Sequence, residues 1–276
     1  MPNRRFHQVD VFSDRPLYGN PLAVVVDGDG LDDAAMARLA RWTNLSETTF
    51  LLPPTETGAD YRLRIFTPGG ELPFAGHPTL GSCHVWLATG GRPAANEIVQ
   101  QCAVGLVRIR RQGGRLAFAA PPLRRSGDVD PELLARIARG LRIERAAIEA
   151  SQWIDNGPGW VAVMIDDRER LLALQPDYNE LAGIKLGVVA RWPDGPAQFE
   201  VRAFIGFTPG FEDPVTGSLN AGLAQWLISS GRAPTAYVAS QGSALQRAGR
   251  VHIEQDGSTI WVGGDVTPVI DGSLAL

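Results

Sequence analysis

Short runs of alternating apolar and polar residues predict β-strands, and stretches with helical spacing separate them. The alternation over residues 6–12 and 61–66 is typical of strands with one buried face. Asp32 precedes a segment with helical spacing, which predicts a capped helix that continues through Trp42. Residues 177–182 are a candidate short helix. The pattern therefore predicts a chain of mixed strands and helices.

The most informative pattern is an internal repeat. Residues 61–92 recur in altered form at 201–232, and placing Thr67-Pro68 on Thr208-Pro209 gives an offset of 141 residues. The same offset superposes Glu71 on Glu212, Pro73 on Pro214, Gly76 on Gly217 and His77 on Ser218. We interpret the repeat as two homologous halves, each of which places a tight glycine turn before a buried helix.

The two glycine turns predict a pair of helix starts with anion-binding character. In the first copy His77 is the candidate N-cap residue, and Pro78 suits the first helical position. In the second copy Ser218 is the candidate N-cap residue. Free backbone N–H groups and a partial positive charge at a helix N-terminus bind anions. Two such ends facing each other would hold a small carboxylate, whereas the alternative is two ordinary capped helices.

Acidic side chains and one histidine are the candidates for proton chemistry. Glu47 stands at the mouth of an apolar strand, where desolvation would suit it as a general acid or base. The alternative is a carboxylate at a strand edge that faces water. His77 could shuttle a proton, or it could be a capping histidine. Glu71 and Glu212 lie close to the predicted helix starts, and we interpret them as supports rather than catalysts.

Length and composition narrow the functional classes. A chain of 276 residues suggests about two domains, and an apolar content of 44% lets each half bury a core. The net charge of −4 without a basic cluster argues against nucleic acid as a partner. No run of 18 apolar residues occurs, and the segment MPNRRFHQVDVF lacks a signal-peptide core. We therefore expect a cytoplasmic protein without a membrane segment.

Metal and cofactor signatures are also missing from the sequence. Cys83 and Cys102 lack metal or redox spacing, and His77 and His84 are too far apart on one helix to share a metal with Cys83. Neither nucleotide-phosphate motif occurs. Lys185 is the only lysine, and its surroundings do not resemble a Schiff-base site. We therefore expect neither a metal nor a cofactor.

A set of motifs spread over nearly the whole chain resembles the PhzF (phenazine biosynthesis) family. The motifs are Asp10–Phe12, Gly19-Asn20-Pro21, Leu45-Ser46-Glu47-Thr48, Phe66-Thr67-Pro68, Glu71, Phe74-Ala75-Gly76-His77-Pro78-Thr79, Glu212-Asp213-Pro214-Val215-Thr216-Gly217-Ser218 and Gln241-Gly242 with Gly249-Arg250. The resemblance implies an α+β protein with the diaminopimelate-epimerase-like fold. In that fold two pseudo-symmetric halves each wrap a barrel-like, mostly antiparallel sheet around a central helix.

The resemblance also implies roles for individual residues. Glu47 would be the proton-transfer residue, with His77 and Asp213 as catalytic partners. The substrate-binding set would be Ser46, Gly76, Gly217 and Ser218, the glycines through their backbone N–H groups. The two catalytic cysteines of the related epimerases and racemases would fall near Ala75 and Thr216, where this chain has no thiol. A racemisation that uses two thiols is therefore not expected.

The repeat and the turn chemistry at Pro121-Pro122 predict a boundary there, with residues 1–122 as the first half and 123–267 as the second. Residues 268–276 are candidates to return to the first half, and the active site is expected in the cleft between the halves. The implied activity is a cofactor-independent isomerase of a small carboxylate, of the trans-2,3-dihydro-3-hydroxyanthranilate isomerase type. The alternatives are an epimerase or racemase that uses carboxylates instead of thiols, and a non-catalytic binder of a small anionic metabolite. The resemblance also implies a homodimer.

Overall fold

A computed structural model of the chain describes residues 2–207 and 209–276. Thr208, on which the superposition of the two Thr-Pro pairs depended, lies outside the described residues. The helices are α1 (Asp33–Thr43), α2 (Gly76–Ala88), α3 (Pro131–Leu141), α4 (Arg168–Ala173) and α5 (Gly217–Ser229). The strands are β1 (Asn3–Val11), β2 (Asn20–Val25), β3 (Glu47–Leu52), β4 (Tyr61–Thr67), β5 (Gly70–Leu72), β6 (Ile98–Cys102), β7 (Gly105–Gln112), β8 (Arg115–Ala119), β9 (Arg125–Gly127), β10 (Ile148–Asp155), β11 (Trp160–Ile165), β12 (Lys185–Arg191), β13 (Phe199–Ile205), β14 (Phe211–Asp213), β15 (Ala236–Gln241), β16 (Gly249–Asp256), β17 (Thr259–Gly264) and β18 (Val266–Ala275).

The chain divides into two compact units. The first contains the residues up to Ala119 together with Gly263–Leu276, and the second is Ala120–Val262. In the first unit the strand order is β18-β1-β2-β3-β4-β6-β7-β8, with β5 folded back on β4. The β2–β3 and β4–β6 pairs are parallel, and the other pairs in this order are antiparallel.

The second unit repeats this topology. Its order is β9-β10-β11-β12-β13-β15-β16, with β14 folded back on β13. The parallel pairs are β11–β12 and β13–β15, at the places that correspond to those in the first unit. The interpretation of the repeat as two similar halves and the prediction of an α+β fold are both confirmed.

Each unit is organised around one apolar helix. In α2 the side chains of Leu80 and Cys83 are inaccessible to solvent, and the helix contacts β1, β2, β3 and β8. In α5 Leu219 and Ala221 are equally buried, and this helix contacts β10, β11 and β16. A helix that is apolar on all sides is stable only inside a core, because it has no face to present to water.

Strand pairing aligns the two copies of the repeat more accurately than superposing the two Thr-Pro pairs does. Phe66 pairs with Glu71 in the first unit, and Phe204 pairs with Glu212 in the second. The β4–β5 hairpin closes from Thr67 to Gly70, whereas the β13–β14 hairpin closes from Ile205 to Phe211. The loop of the second hairpin is therefore longer, and aligning the Thr-Pro pairs shifts the preceding strands out of register.

The structure contradicts some local predictions. The N-cap residues of α2 and α5 are Ala75 and Thr216, so the predicted caps His77 and Ser218 lie inside the first turns. Residues 177–182 form turns instead of a helix, and the helix in this region is α4, which begins after its cap Asp167. The predicted cap Asp32 of α1 is confirmed, since it accepts a hydrogen bond from the Ala35 backbone.

In residues 2–207 and 209–276, every helix is too short or too polar to cross a lipid bilayer.

Candidate functional site

The structure brings Glu47 and His77 into direct contact in the first unit. Glu47 is the first residue of β3, and His77 is the second residue of α2. Glu47 Oε2 lies 3.2 Å from His77 Nε2, and their side chains are only 14% and 6% exposed. Neighbouring strands and the first turn of a buried helix thus place a carboxyl group against an imidazole with little access to water.

The segment at the start of β2 contacts the His77 ring at Nδ1, the ring nitrogen that is not in contact with Glu47. Asn20 begins β2 and is fully buried, with its Nδ2 lying 3.5 Å from His77 Nδ1. Asp10 Oδ2 accepts a hydrogen bond of 2.8 Å from the backbone N–H of Gly19 and so closes this loop. A Cβ atom at Gly19 would lie 2.2 Å from the Val11 carbonyl oxygen, so only glycine fits there. The Gly19-Asn20-Pro21 motif thus reaches the site from a distant part of the sequence.

Burial determines the charge of the histidine. Desolvation lowers the pKa of His77 to about 3, so the ring is neutral at physiological pH. The two atoms are in contact without meeting hydrogen-bond geometry in this structure. A neutral ring with its proton on Nε2 can donate to a Glu47 carboxylate, and a ring without that proton can accept from a protonated Glu47 carboxyl group, so a small adjustment allows the two groups to exchange a proton. The pair therefore has the composition of a general acid/base centre.

The two central helices begin differently from the other three. In α1, α3 and α4 an aspartate caps the helix start: Asp32, Asp130 and Asp167, respectively. Among the described residues, no side chain caps α2 or α5, and neither helix has an acidic residue in its first turn. Backbone N–H groups at these two starts, including those of Gly76 and Gly217, are available to an anion.

In the second unit Asp213 lies within a network of buried polar side chains. The Thr216 hydroxyl donates a short hydrogen bond to Asp213 Oδ2. Gln241, which is inaccessible to solvent, donates to the Asp213 carbonyl at 3.1 Å and to Thr216 Oγ1 at 3.0 Å. Its Oε1 accepts from the Thr216 backbone at 3.0 Å and from Asn220 Nδ2 at 2.8 Å. Asp213 is therefore held in place through both its side chain and its backbone.

Ser218 is prepared to donate a hydrogen bond. Its hydroxyl oxygen accepts from the indole N–H of Trp160 at 3.0 Å, and its carbonyl accepts from Asn156 Nδ2 at 2.9 Å. Because the indole N–H can only donate, the Ser218 hydroxyl proton is not used in this bond. The hydroxyl can therefore donate a hydrogen bond to an anion at the start of α5.

The remaining predicted residues divide between neighbours of the site and structural supports. Ser46 directly precedes β3 and is partly buried. Glu71 binds Arg64 through two hydrogen bonds of 2.7 Å, and Glu212 binds Arg202 at 2.6 and 3.0 Å. These matched pairs support the interpretation of both glutamates as structural.

The thiols lie away from the helix starts. Ala75 and Thr216, near which the resemblance implied the catalytic cysteines of related epimerases, are the N-cap positions of α2 and α5. Burial raises the pKa of the Cys83 thiol to about 12, so it is protonated and unreactive at neutral pH. Within residues 2–207 and 209–276, no group of three or more histidine, cysteine or acidic side chains has the arrangement to hold a metal ion.

Sequence reasoning did not assign a role to Asn20, Thr216, Gln241 or Trp160. Asn20 and Gln241 belong to the Gly19-Asn20-Pro21 and Gln241-Gly242 motifs. These motifs contributed to the family resemblance, but the sequence alone did not indicate what either residue does. Only the fold shows that Asn20 meets His77 and that Gln241 meets Asp213.

Comparison with known proteins agrees with this architecture. The family model described as phenazine biosynthesis-like protein, PhzC-PhzF, matches residues 9–272. The trans-2,3-dihydro-3-hydroxyanthranilate isomerase of Pseudomonas aeruginosa is 34% identical over 285 residues, which cover 99% of each chain. A PhzF-family crystal structure from Enterococcus faecalis covers 100% of both chains with a TM-score of 0.82 and 25% identity. A predicted epimerase from Pseudomonas aeruginosa covers 99% of both chains, with a TM-score of 0.81 and 28% identity.

These matches extend over nearly the whole chain. The resemblance stated from the sequence motifs is confirmed, as is the prediction of an isomerase at the level of the enzyme class. The chain belongs to the PhzC-PhzF family of phenazine biosynthesis-like proteins.

Proposed function

We propose that the chain is a cofactor-independent isomerase that moves a proton within a small carboxylate substrate, with Glu47 as the proton-transfer group. The contact of 3.2 Å between Glu47 and a neutral, buried His77 is the observation that carries the proposal. A general acid or base needs a group that holds a transferable proton in a site with little water, and this pair meets both conditions.

The reaction conserves the atoms of the substrate. Glu47 removes a proton from carbon, the electron pair of the broken C–H bond moves into the conjugated system, and the proton returns to a different carbon. The uncapped start of α2 next to His77 stabilises negative charge that develops on the substrate carboxylate. Nothing is oxidised or reduced, so this chemistry requires no redox partner.

The proposed substrate class is taken from the name of one relative. Since that relative is named a trans-2,3-dihydro-3-hydroxyanthranilate isomerase, this compound is the first substrate to test. Ser46, Gly76, Gly217 and Ser218 are the proposed binding residues, and His77 and Asp213 the proposed catalytic partners of Glu47. The proposal also includes a cytoplasmic homodimer, for which the measurement is a light-scattering mass of about twice the 29.7 kDa chain.

The test compares two conservative variants of glutamates from the same unit. Glu47→Gln removes the proposed proton carrier, and we expect turnover to fall by ~10²–10⁴ while the fold is retained. Glu71→Gln is the matched control, because Glu71 binds Arg64 instead of lying against the imidazole, and its turnover should stay close to that of the wild type. Turnover of Glu47→Gln close to that of the wild type would remove Glu47 from the mechanism.

An epimerase that uses two carboxylates is the second candidate, and the likeness to a predicted epimerase favours its inclusion. The two candidates differ in their product. The isomerase yields a constitutional isomer, whereas the epimerase inverts one stereocentre and leaves the connectivity unchanged. Chiral chromatography and NMR of the product formed from trans-2,3-dihydro-3-hydroxyanthranilate and from α-amino acids separate them.

A further inference from the structure

Three buried side chains connect the sheet of the first unit to the first turn of α2. Tyr61 begins β4, Gln100 is its parallel partner on β6, and Thr79 lies in the first turn of α2. Tyr61 is 2% exposed, and the other two residues are inaccessible to solvent. The Tyr61 hydroxyl lies 3.1 Å from Gln100 Oε1, and Gln100 Nε2 lies 3.1 Å from Thr79 Oγ1. A continuous line of hydrogen bonds therefore joins two strands to the start of the helix.

These hydrogen bonds have a defined direction. Thr79 Oγ1 lies 2.9 Å from the Ala75 carbonyl, which can only accept, so the hydroxyl proton is used there and the oxygen accepts from Gln100. The Gln100 amide therefore has its nitrogen toward Thr79 and its oxygen toward Tyr61. Burial raises the pKa of Tyr61 well above its usual range, so the phenol keeps the proton that it donates. The donors thus point from Tyr61 toward Ala75, the N-cap residue of α2.

This line of hydrogen bonds secures the start of α2 from its carbonyl side. The Ala75 carbonyl accepts from the Thr79 backbone N–H at 3.2 Å and from the Thr79 hydroxyl at 2.9 Å. The methyl group of Ala75 cannot bond to the first N–H groups of the helix, as the capping aspartates of α1, α3 and α4 do. A side-chain cap would occupy N–H groups that an anion needs, whereas bonds to the carbonyl fix the turn and leave those groups to a ligand.

The second unit has a comparable arrangement. Asn220 lies four residues after the N-cap Thr216, as Thr79 does after Ala75, and its Nδ2 donates to the Thr216 carbonyl at 2.9 Å. Gln241, on the strand that follows α5 in the sequence, accepts from the same Nδ2 at 2.8 Å. In both units, a buried glutamine from the next strand therefore contacts the side chain that bonds back to the N-cap carbonyl.

We propose that Gln100 is a positioning residue that acts through Thr79 on the first turn of α2. The same turn contains Gly76 and His77, and His77 Nε2 lies 3.2 Å from Glu47 Oε2. Without the bond from Gln100 the turn opens more readily, and the imidazole and the N–H groups leave their working positions. A displacement of about 1 Å in such a constellation can lower a rate by about 10². This inference rests on the proposed function, because it assigns the turn to the reaction.

Amide hydrogen exchange of the ligand-free protein, followed by NMR, tests the inference without depending on turnover. Gln100→Met removes both hydrogen bonds at nearly constant volume. We expect the Thr79 amide to exchange about tenfold faster in this variant, because the bond that fixes the first turn is lost. The amides of Cys83 and Val85, in later turns of α2, should change much less.

Gln101→Met is the matched control. Gln101 is the next residue of β6 and is 7% exposed, but its amide bonds to Thr55 and Glu56 instead of α2. Its substitution should therefore leave the Thr79 amide close to the wild-type rate. Thr79→Val, which removes the hydroxyl at nearly constant volume, should accelerate the exchange of this amide as Gln100→Met does, and Thr79→Ser should restore it.

Turnover of trans-2,3-dihydro-3-hydroxyanthranilate provides the second readout. We expect kcat to fall about tenfold in Gln100→Met and in Thr79→Val, and to stay close to the wild-type value in Gln101→Met and in Thr79→Ser. A purely structural role would lower the stability of Gln100→Met and Gln101→Met without separating their kcat values.

Unchanged exchange of the Thr79 amide in Gln100→Met, or equal acceleration along the whole of α2, overturns the inference. Wild-type kcat in a variant with faster exchange at Thr79 overturns it as well. If Gln100→Met does not fold, the same comparison between Thr79→Val and Thr79→Ser decides. Failure of the proposed function is distinguishable, because wild-type turnover in Glu47→Gln would leave the exchange result intact.

Discussion

The two units share a framework but differ in chemistry at equivalent positions. Glu47 pairs with Leu22 at the start of β3, and Lys185 pairs with Trp160 at the start of β12. The residue after Glu47 pairs with Phe66, and the residue after Lys185 pairs with Phe204. Lys185 therefore occupies the position in the second unit that is equivalent to Glu47. The repeat likewise puts Ser218 where the first unit has His77.

The difference separates two tasks. Both units keep an uncapped, apolar central helix, which suits anion binding and helix packing. The first unit has a carboxyl group against an imidazole at that place, whereas the second has a lysine and a serine there. The two units thus share a framework, and the proton chemistry proposed above belongs to one of them.

The largest expected difference in stability between the two units is at their equivalent arginine–glutamate pairs, Arg202–Glu212 and Arg64–Glu71. Arg202 and Glu212 are 6% and 7% exposed, and Arg202 also donates to backbone carbonyls at the end of α4. Arg202→Met leaves a buried carboxylate uncompensated and should destabilise the protein by about 3–5 kcal/mol. Arg64→Met breaks a pair in which Glu71 is 38% exposed and should cost at most about 1 kcal/mol. Urea unfolding of both variants measures the difference, and equal losses would contradict it.

The buried imidazole predicts a pH dependence of stability. Burial lowers the pKa of His77 from about 6.5 to about 3, so between these values the unfolded chain binds a proton that the folded protein excludes. The contribution of His77 is complete above pH 6.5 and is lost as the pH falls toward 3. His77→Asn should therefore flatten the decline of the unfolding free energy between pH 6.5 and pH 4. Parallel curves for wild type and variant would show that His77 is not the group responsible.

Glycines at the core of each central helix predict a smaller contrast. A Cβ atom at Gly222 would lie 2.5 Å from the Ile154 carbonyl oxygen, whereas one at Gly81 would lie 2.6 Å from a Leu22 methyl group. Backbone cannot yield as a side chain can, so Gly222→Ala should destabilise by about 1–3 kcal/mol and Gly81→Ala by less. Thermal unfolding of the two variants ranks them, and the reverse order would contradict this reading of the packing.

The smallest expected effect is at Lys185. Lys185→Met removes the charge 5.7 Å from the Phe207 ring but leaves the Glu47–His77 contact unchanged, so kcat should stay within about threefold of the wild type. A loss comparable to that of Glu47→Gln would mean that the second unit also supplies an acid/base group and would contradict the assignment of proton transfer to Glu47.

The sequence allowed the fold to be predicted because a repeat and a set of motifs extend over nearly the whole chain. It also singled out Glu47 and His77, whose contact is now seen. It could not supply the partners of these residues, because Asn20 with His77 and Gln241 with Asp213 are separated by many residues and meet only through strand pairing. The cap positions were wrong because Ala75 and Thr216 use extended backbone without a capping side chain. The roles of the site residues and the placement of the active site in a cleft between the halves stay predictions.

The most direct test of proton transfer by the first unit is the exchange of substrate hydrogen with solvent. In D₂O the wild-type protein should introduce deuterium from solvent into trans-2,3-dihydro-3-hydroxyanthranilate or its product, detected by mass spectrometry. Glu47→Gln should bind the same compound, with little or no deuterium incorporated. Incorporation by Glu47→Gln at the wild-type rate would contradict the account.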